Sequence, residues 1–133
     1  MVQITGNYQH EKNENVDDYF RAIGVPYIGR KMMAMSSPSM EISELENVWS
    51  IKTSSLMRTN ESKFKLNEEY DESMPGGLLK TTTILDGDKL ISTSVADDGT
   101  KIMRTYEFTD SQCIVILSHE KSGQVAKRYF KRL

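Results

Sequence analysis

From Met40 to the last residue, apolar and polar side chains alternate in short runs with a period of two, and turn-forming residues interrupt the runs at regular intervals. Successive side chains of a strand point to opposite faces, so this pattern belongs to half-buried β-strands and not to helices. Strands are expected at about 39–45, 48–55, 59–66, 69–73, 78–84, 89–95, 101–108, 112–118 and 124–132, preceded by one at about 5–13. Glu46-Asn47, Asp86-Gly87, Asp98-Gly99 and Ser122-Gly123 are the residue types that tight hairpins favour. The chain therefore reads as ten antiparallel strands joined in order.

Ten strands laid out flat would leave free edges, and closing the sheet into a barrel removes them. A barrel of that strand number is wider than its side chains can fill, so an internal cavity is expected. Only one stretch keeps a helical period: Val16, Tyr19, Phe20 and Ile23 fall at i, i+3, i+4 and i+7, with Asn15 available as N-cap and Gly24 as the stop. Pro26 stands where a second helix would begin, since its missing N–H goes unpaired there anyway. Val25, Ile28, Met32 and Met35 carry the apolar stripe on to Ser36-Ser37-Pro38. The expected fold is all-β: a ten-stranded antiparallel up-and-down β-barrel with a helix-turn-helix lid, about 15–36, between the first two strands, in one domain over residues 1–133.

Composition removes several function classes. The 133 residues carry a net charge of −2, and the basic pairs Lys127-Arg128 and Lys131-Arg132 are separated by Tyr129 and Phe130, which is no nucleic-acid footprint. Cys113 is the sole cysteine and only His10 and His119 could join it, so neither a disulfide within the chain nor a metal set is expected. No Ser-His-acid or Cys-His arrangement is visible, no catalytic residue is assigned, and no cofactor is implied. A hydrolase or isomerase built inside the barrel thus lacks support. The sequence shows neither a leader-like start nor a bilayer-spanning segment, so a cytoplasmic location is expected, with the nucleus as a second compartment.

Two arginines fall on apolar strand faces. Ala126, Arg128 and Phe130 share one side of the last strand, and Ile102, Arg104, Tyr106 and Phe108 share one side of the strand at 101–108. An Arg facing a lumen is costly to desolvate and needs water, a carboxylate, or both beside it. A fatty acid supplies a carboxylate that matches the guanidinium fork. The ordinary alternative is a parity shifted by one, which would leave both arginines in solvent.

In addition to these readings, the chain resembles the intracellular lipid-binding proteins, the family of fatty-acid-binding and cellular retinoid-binding proteins. The resemblance covers nearly the whole chain. It rests on Gly6-Asn7-Tyr8, Glu14-Asn15-Val16-Asp17-Asp18-Tyr19, Ala22-Ile23-Gly24-Val25, Arg30-Lys31, Lys52-Thr53, Lys63 to Glu72, Leu85-Asp86-Gly87-Asp88-Lys89-Leu90 and Ala126-Lys127-Arg128-Tyr129-Phe130. It implies a clam-shaped barrel holding one lipid, whose carboxylate meets an Arg-x-Tyr pair on the last strand and a second Arg. Arg128 matches the first Arg and Phe130 stands where many members have Tyr, so the carboxylate would rest on Arg128, on waters, or on Arg104 and Tyr106. Phe130, Thr53, Ile51, Phe64 and Ile102 are expected to line the cavity, and Ile28, Met32, Met33, Met57 and Met74 to form a portal of adaptable side chains. His10 sits at a usually apolar position, where a hydrogen-bonded ring is the plain reading.

The resemblance further implies a non-catalytic, monomeric carrier of a long-chain fatty acid that touches membrane surfaces transiently. A carrier of a retinoid or another bulky hydrophobic carboxylate is the alternative. Arg21, Arg30 and Lys31 match lid positions that in several members meet acidic headgroups or serve nuclear import, although solvated helix charges are the commoner use of such residues.

Overall fold

The computed structural model describes residues 3–55, 59–74 and 77–133, without the side chains of residues 73, 74 and 77. The elements run β1 (Gly6–Glu14), α1 (Val16–Ala22), α2 (Tyr27–Met35), β2 (Ser39–Leu45), β3 (Val48–Ser54), β4 (Thr59–Phe64), β5 (Glu69–Met74), β6 (Gly77–Asp86), β7 (Lys89–Val95), β8 (Lys101–Phe108), β9 (Gln112–His119) and β10 (Val125–Arg132). Alternation is strongest in β8 and β9, where every second residue from Ile102 to Phe108 and from Cys113 to His119 is buried. At the β2–β3 hairpin Glu46 and Asn47 both adopt φ > 0, at 51° and 70°, the backbone of a two-residue turn whose twist suits the strands it joins.

The ten strands form one antiparallel sheet in the order β4-β3-β2-β1-β10-β9-β8-β7-β6-β5. The expected barrel is thus present, and it has one opening in its ladder: among the described residues no backbone pairing joins β4 to β5, and the sheet curls round to bring its two edges together as a seam. Side chains span that seam. Ser62 of β4 donates to Glu72 Oε2 of β5 at 3.0 Å, and Phe64 stacks on Tyr70 with ring centroids 5.2 Å apart. β4 also ends at Phe64, two residues short of expectation, because Asn67 turns to φ 67° and its N–H is taken by Thr83 O.

The helices lie between β1 and β2 as expected, and α1 packs against β9 and β10 with Val16, Tyr19 and Phe20 buried. Asn15 differs from its expected role. It holds the N-cap position in the left-handed region, φ 55°, but its side chain does not cap the helix; it donates to Gln124 Oε1 at 2.9 Å and to Val125 O at 2.8 Å, tying the helix start to β10. Pro26 is the N-cap of α2. Arg30 holds the two helices together, its Nη1 donating to Val25 O at 2.8 Å and its Nε to Asp17 Oδ1 at 3.0 Å.

Candidate functional site

Inward-facing side chains of β2, β3, β4, β5, β8, β9 and β10, capped by Tyr19 and Phe20 of α1 and Met33 of α2, surround a cavity of about 220 Å³. The wall is half apolar, from Met40, Ile51, Val115, Leu117 and Phe130, and half polar, from Thr53, Asn60, Ser62, Glu72, Tyr106, Arg104 and Arg128. The two arginines enter it because β8 and β10 turn the same parity inward on either side of β9. Tyr106 and Arg128 both pair with Val115, whereas Arg104 sits one pleat nearer the α1 end, level with Leu117 and Ala126.

Arg128 is the less satisfied of the two. Its Nε donates to Asn13 Oδ1 at 3.1 Å, the ring of Phe130 lies 5.9 Å from its guanidinium carbon, and its Nη2 is buried with no hydrogen-bond partner among the described residues. Burial pushes its pKa down from the ordinary arginine value, the direction expected of a desolvated cation without a counter-charge. Asn13 Oδ1 also lies 2.6 Å from His10 Nε2. Since that oxygen can only accept, His10 must carry its proton on Nε2, so His10, Asn13 and Arg128 form one chain of hydrogen bonds. The His10 ring is itself buried, edge-on to Phe130 at 5.5 Å, and burial lowers its pKa.

Arg104 is placed in the lumen as its strand parity requires, but it faces a carboxylate of the protein's own. Its two terminal nitrogens fork onto Glu72, Nη1 to Oε2 at 3.0 Å and Nη2 to Oε1, leaving only Nε without a partner. Desolvation works against the charge on Arg104, yet Tyr106 and Glu72 outweigh it and its pKa lies above the ordinary value. Arg104, expected with Arg128 and Tyr106 among the residues that meet a ligand carboxylate, thus already has a carboxylate of the protein beside it. Tyr106 is buried beside it, and its hydroxyl is pushed up to about 12 by desolvation, with Arg104 opposing. The Tyr19 hydroxyl is likewise raised to about 12 by burial and lacks a partner among the described residues.

Of the other expected lining residues, Phe130, Thr53 and Ile51 border the cavity. Phe64 and Ile102 are buried on inward faces but lie outside the lining, because at their levels side chains meet one another: Phe64 packs on Tyr70, and Ile102 sits in the core opposite His119. Of the expected portal residues, Met33 reaches the cavity, while Ile28 and Met32 are 72% and 44% exposed on α2. Met57 and the side chain of Met74 lie outside the described residues. Arg132, which shares parity with Arg128, stands beyond the lumen over the Tyr8 ring, its guanidinium carbon 4.9 Å from the centroid.

The residues that sequence reasoning left out are Glu72, Asn13, Ser62 and Tyr19. Glu72 shares a strand face with Tyr70, and that parity was the available signal. A partner for it 32 positions away on β8 carries no local signature. A second polar layer also escaped notice: Tyr70 hydroxyl to Thr83 at 2.9 Å, Thr83 to Ser92 at 2.7 Å and Thr81 to Ser94 at 2.8 Å, all buried on β5, β6 and β7 except the half-buried Tyr70. Among the described residues no cluster of His, Cys, Asp and Glu could hold a metal ion, and no helix is long and apolar enough to cross a membrane.

No family model matches the chain. A fatty acid-binding protein of Tyrophagus putrescentiae is 33% identical to it over 134 residues, an alignment that covers 99% of each chain. The structure of the REP1-NXSQ fatty acid transporter superposes with a TM-score of 0.89 at 32% identity, covering 98% of this chain and 96% of that one. Human cRBP IV superposes with a TM-score of 0.87 at 26% identity over the full length of both chains.

Proposed function

Because the chain belongs to the intracellular lipid-binding protein family, that of the fatty-acid-binding proteins, we propose that its lumen carries one long-chain fatty acid with the carboxylate at Arg128. The family binds and transports lipids without catalysing a reaction, and this chain is such a carrier. The observation that carries the finer reading is Arg128, a half-buried residue at the cavity whose Nη2 is buried and unpartnered, with no carboxylate of the protein beside it among the described residues. A ligand carboxylate would offset a desolvation penalty that the fold leaves standing.

Burial of about fifteen methylenes at ~0.8 kcal/mol each provides roughly 12 kcal/mol gross. Ordering the chain and losing free motion remove several of these, which leaves affinity in the micromolar range or tighter. The head-group pair adds little net energy, since its attraction nearly cancels its desolvation, and serves chiefly to fix orientation and ligand class. Transient contact with a membrane surface is supported by α2, which buries no residue and exposes Tyr27, Ile28 and Met35. Action as a cytoplasmic monomer completes the reading. Arg21 and Arg30 are already engaged with Asp17, which favours helix bracing over a nuclear-import patch.

The test is displacement of a fluorescent fatty acid by oleate, by methyl oleate, by retinoic acid and by a bile salt. Oleate should win, and Arg128→Ala should narrow the gap between the acid and its ester. Equal binding of acid and ester by the unaltered protein would remove Arg128 from the head-group role. Retinoic acid displacing best would favour the retinoid reading, to which the likeness to human cRBP IV lends weight.

A further inference from the structure

Two polar stations line this cavity, and they differ in charge. Arg128 meets no carboxylate among the described residues and presents a full positive charge. Arg104 is neutralised by Glu72, yet its Nε and, in the same cavity lining, the Tyr19 hydroxyl are buried without partners among the described residues. Tyr19 is 1% exposed and Arg104 9%, and both border the cavity.

Buried donors that find nothing to bond are costly, so two on the same cavity wall mark a place where an acceptor belongs. Charge selects the acceptor. A second anion would be repelled by Glu72, which already holds the fork of Arg104, whereas an uncharged oxygen with two lone pairs can take both donors. The register sets the spacing: Arg104 and Arg128 lie two strands and one pleat apart, roughly 12 Å between Cα atoms at ~4.8 Å per strand and ~3.4 Å per residue. A single extended lipid can therefore reach both.

Resting on the reading that a fatty acid places its carboxylate at Arg128, the geometry points to a preference for oxygenated fatty acids, whose mid-chain hydroxyl or keto oxygen accepts from Arg104 Nε and the Tyr19 hydroxyl. An unsubstituted chain lays methylenes against the two donors and leaves them unbonded. An oxygenated one bonds them, and the Tyr19 phenol, raised to about 12, stays protonated and able to donate at neutral pH.

The experiment displaces a fluorescent fatty acid with stearate and with a series of monohydroxystearates whose hydroxyl moves along the middle of the chain. At least one isomer should bind about threefold to tenfold tighter than stearate, the worth of about one net hydrogen bond. Tyr19→Phe, which removes the oxygen and keeps the ring, should bring that ratio back toward one. If no isomer exceeds stearate, or the preference persists in Tyr19→Phe, the inference is overturned while the fatty-acid reading stands. If stearate itself fails to bind, both fall together.

Discussion

Replacing Glu72 with alanine strands the Arg104 guanidinium inside the lumen, and the cost can be worked from the contacts it loses. The Glu72 side chain is 6% exposed and that of Arg104 11%, so the pair is effectively out of water. Removing one partner of a buried pair costs about 3–5 kcal/mol, and the Ser62 hydroxyl across the seam loses an acceptor worth about 1 kcal/mol more. Water entering through the seam would recover part of this, leaving a net loss of about 4 kcal/mol out of the 5–15 kcal/mol that a domain typically has. At roughly 4 °C per kcal/mol for a chain of this size, Tm should fall by about 15 °C. Urea unfolding followed by Trp49, the single tryptophan, reads the same loss as a lower midpoint at unchanged slope. The double change Glu72→Leu with Arg104→Met exchanges the pair for apolar side chains and should return to within about 1–2 kcal/mol of the starting protein. Fatty acid should stabilise Glu72→Ala by a larger increment than it does the unaltered protein, because Arg104 is then free to meet a carboxylate. A loss below about 1 kcal/mol in Glu72→Ala would refute the reasoning, since it would mean that the guanidinium reaches solvent unaided.

Three further outcomes follow from neighbouring contacts. Burial holds the His10 pKa below its ordinary 6.5, so above that pH the ring is neutral in both states and its contribution is level. As pH falls through 6.5 the unfolded ring protonates first and stability drops, and His10→Leu should flatten this part of a urea-midpoint profile; an unchanged profile would exclude His10. Thr83→Val should cost about 1–3 kcal/mol by leaving Ser92 unbonded, and adding Ser92→Ala should restore part of it, as thermal melts of the two variants would show. Asn15→Ala should cost about 2 kcal/mol, from a left-handed backbone at φ 55° and two lost bonds to β10, with Asn15→Gly recovering only the backbone share in the same melts.

The barrel was legible because its strands obey a local rule. Ile102, Arg104, Tyr106 and Phe108 alternate with exposed or half-exposed neighbours along β8, and the same parity in β10 brings Arg128 and Phe130 inward, as reading residue by residue implies. What escaped depended on contacts between distant segments. β4 and β5 are rich in polar and charged residues, but nothing local to either announces that, among the described residues, no backbone pairing joins them. The Arg104 fork onto Glu72 joins the middle of β8 to the inward face of an edge strand, and only the curl of the sheet makes them neighbours. Asn15 has the composition of a helix cap, and its diversion to Gln124 and Val125 is decided by where β10 happens to start.

The seam also fixes how the chain threads through its sheet. Because β4 and β5 are the outermost strands and β1 lies against β10 in the middle, with Tyr8 opposite Arg132, cutting between Phe64 and Glu69 would sever no ladder hydrogen bond. A circularly permuted version, starting at β5, running through β10, then linked into β1 and finishing at β4, would visit its strands in spatial order from one side to the other. Such a rearranged polypeptide would convert the longest-range pairing in the molecule into an ordinary hairpin, and it should fold faster than the original while keeping the same lumen.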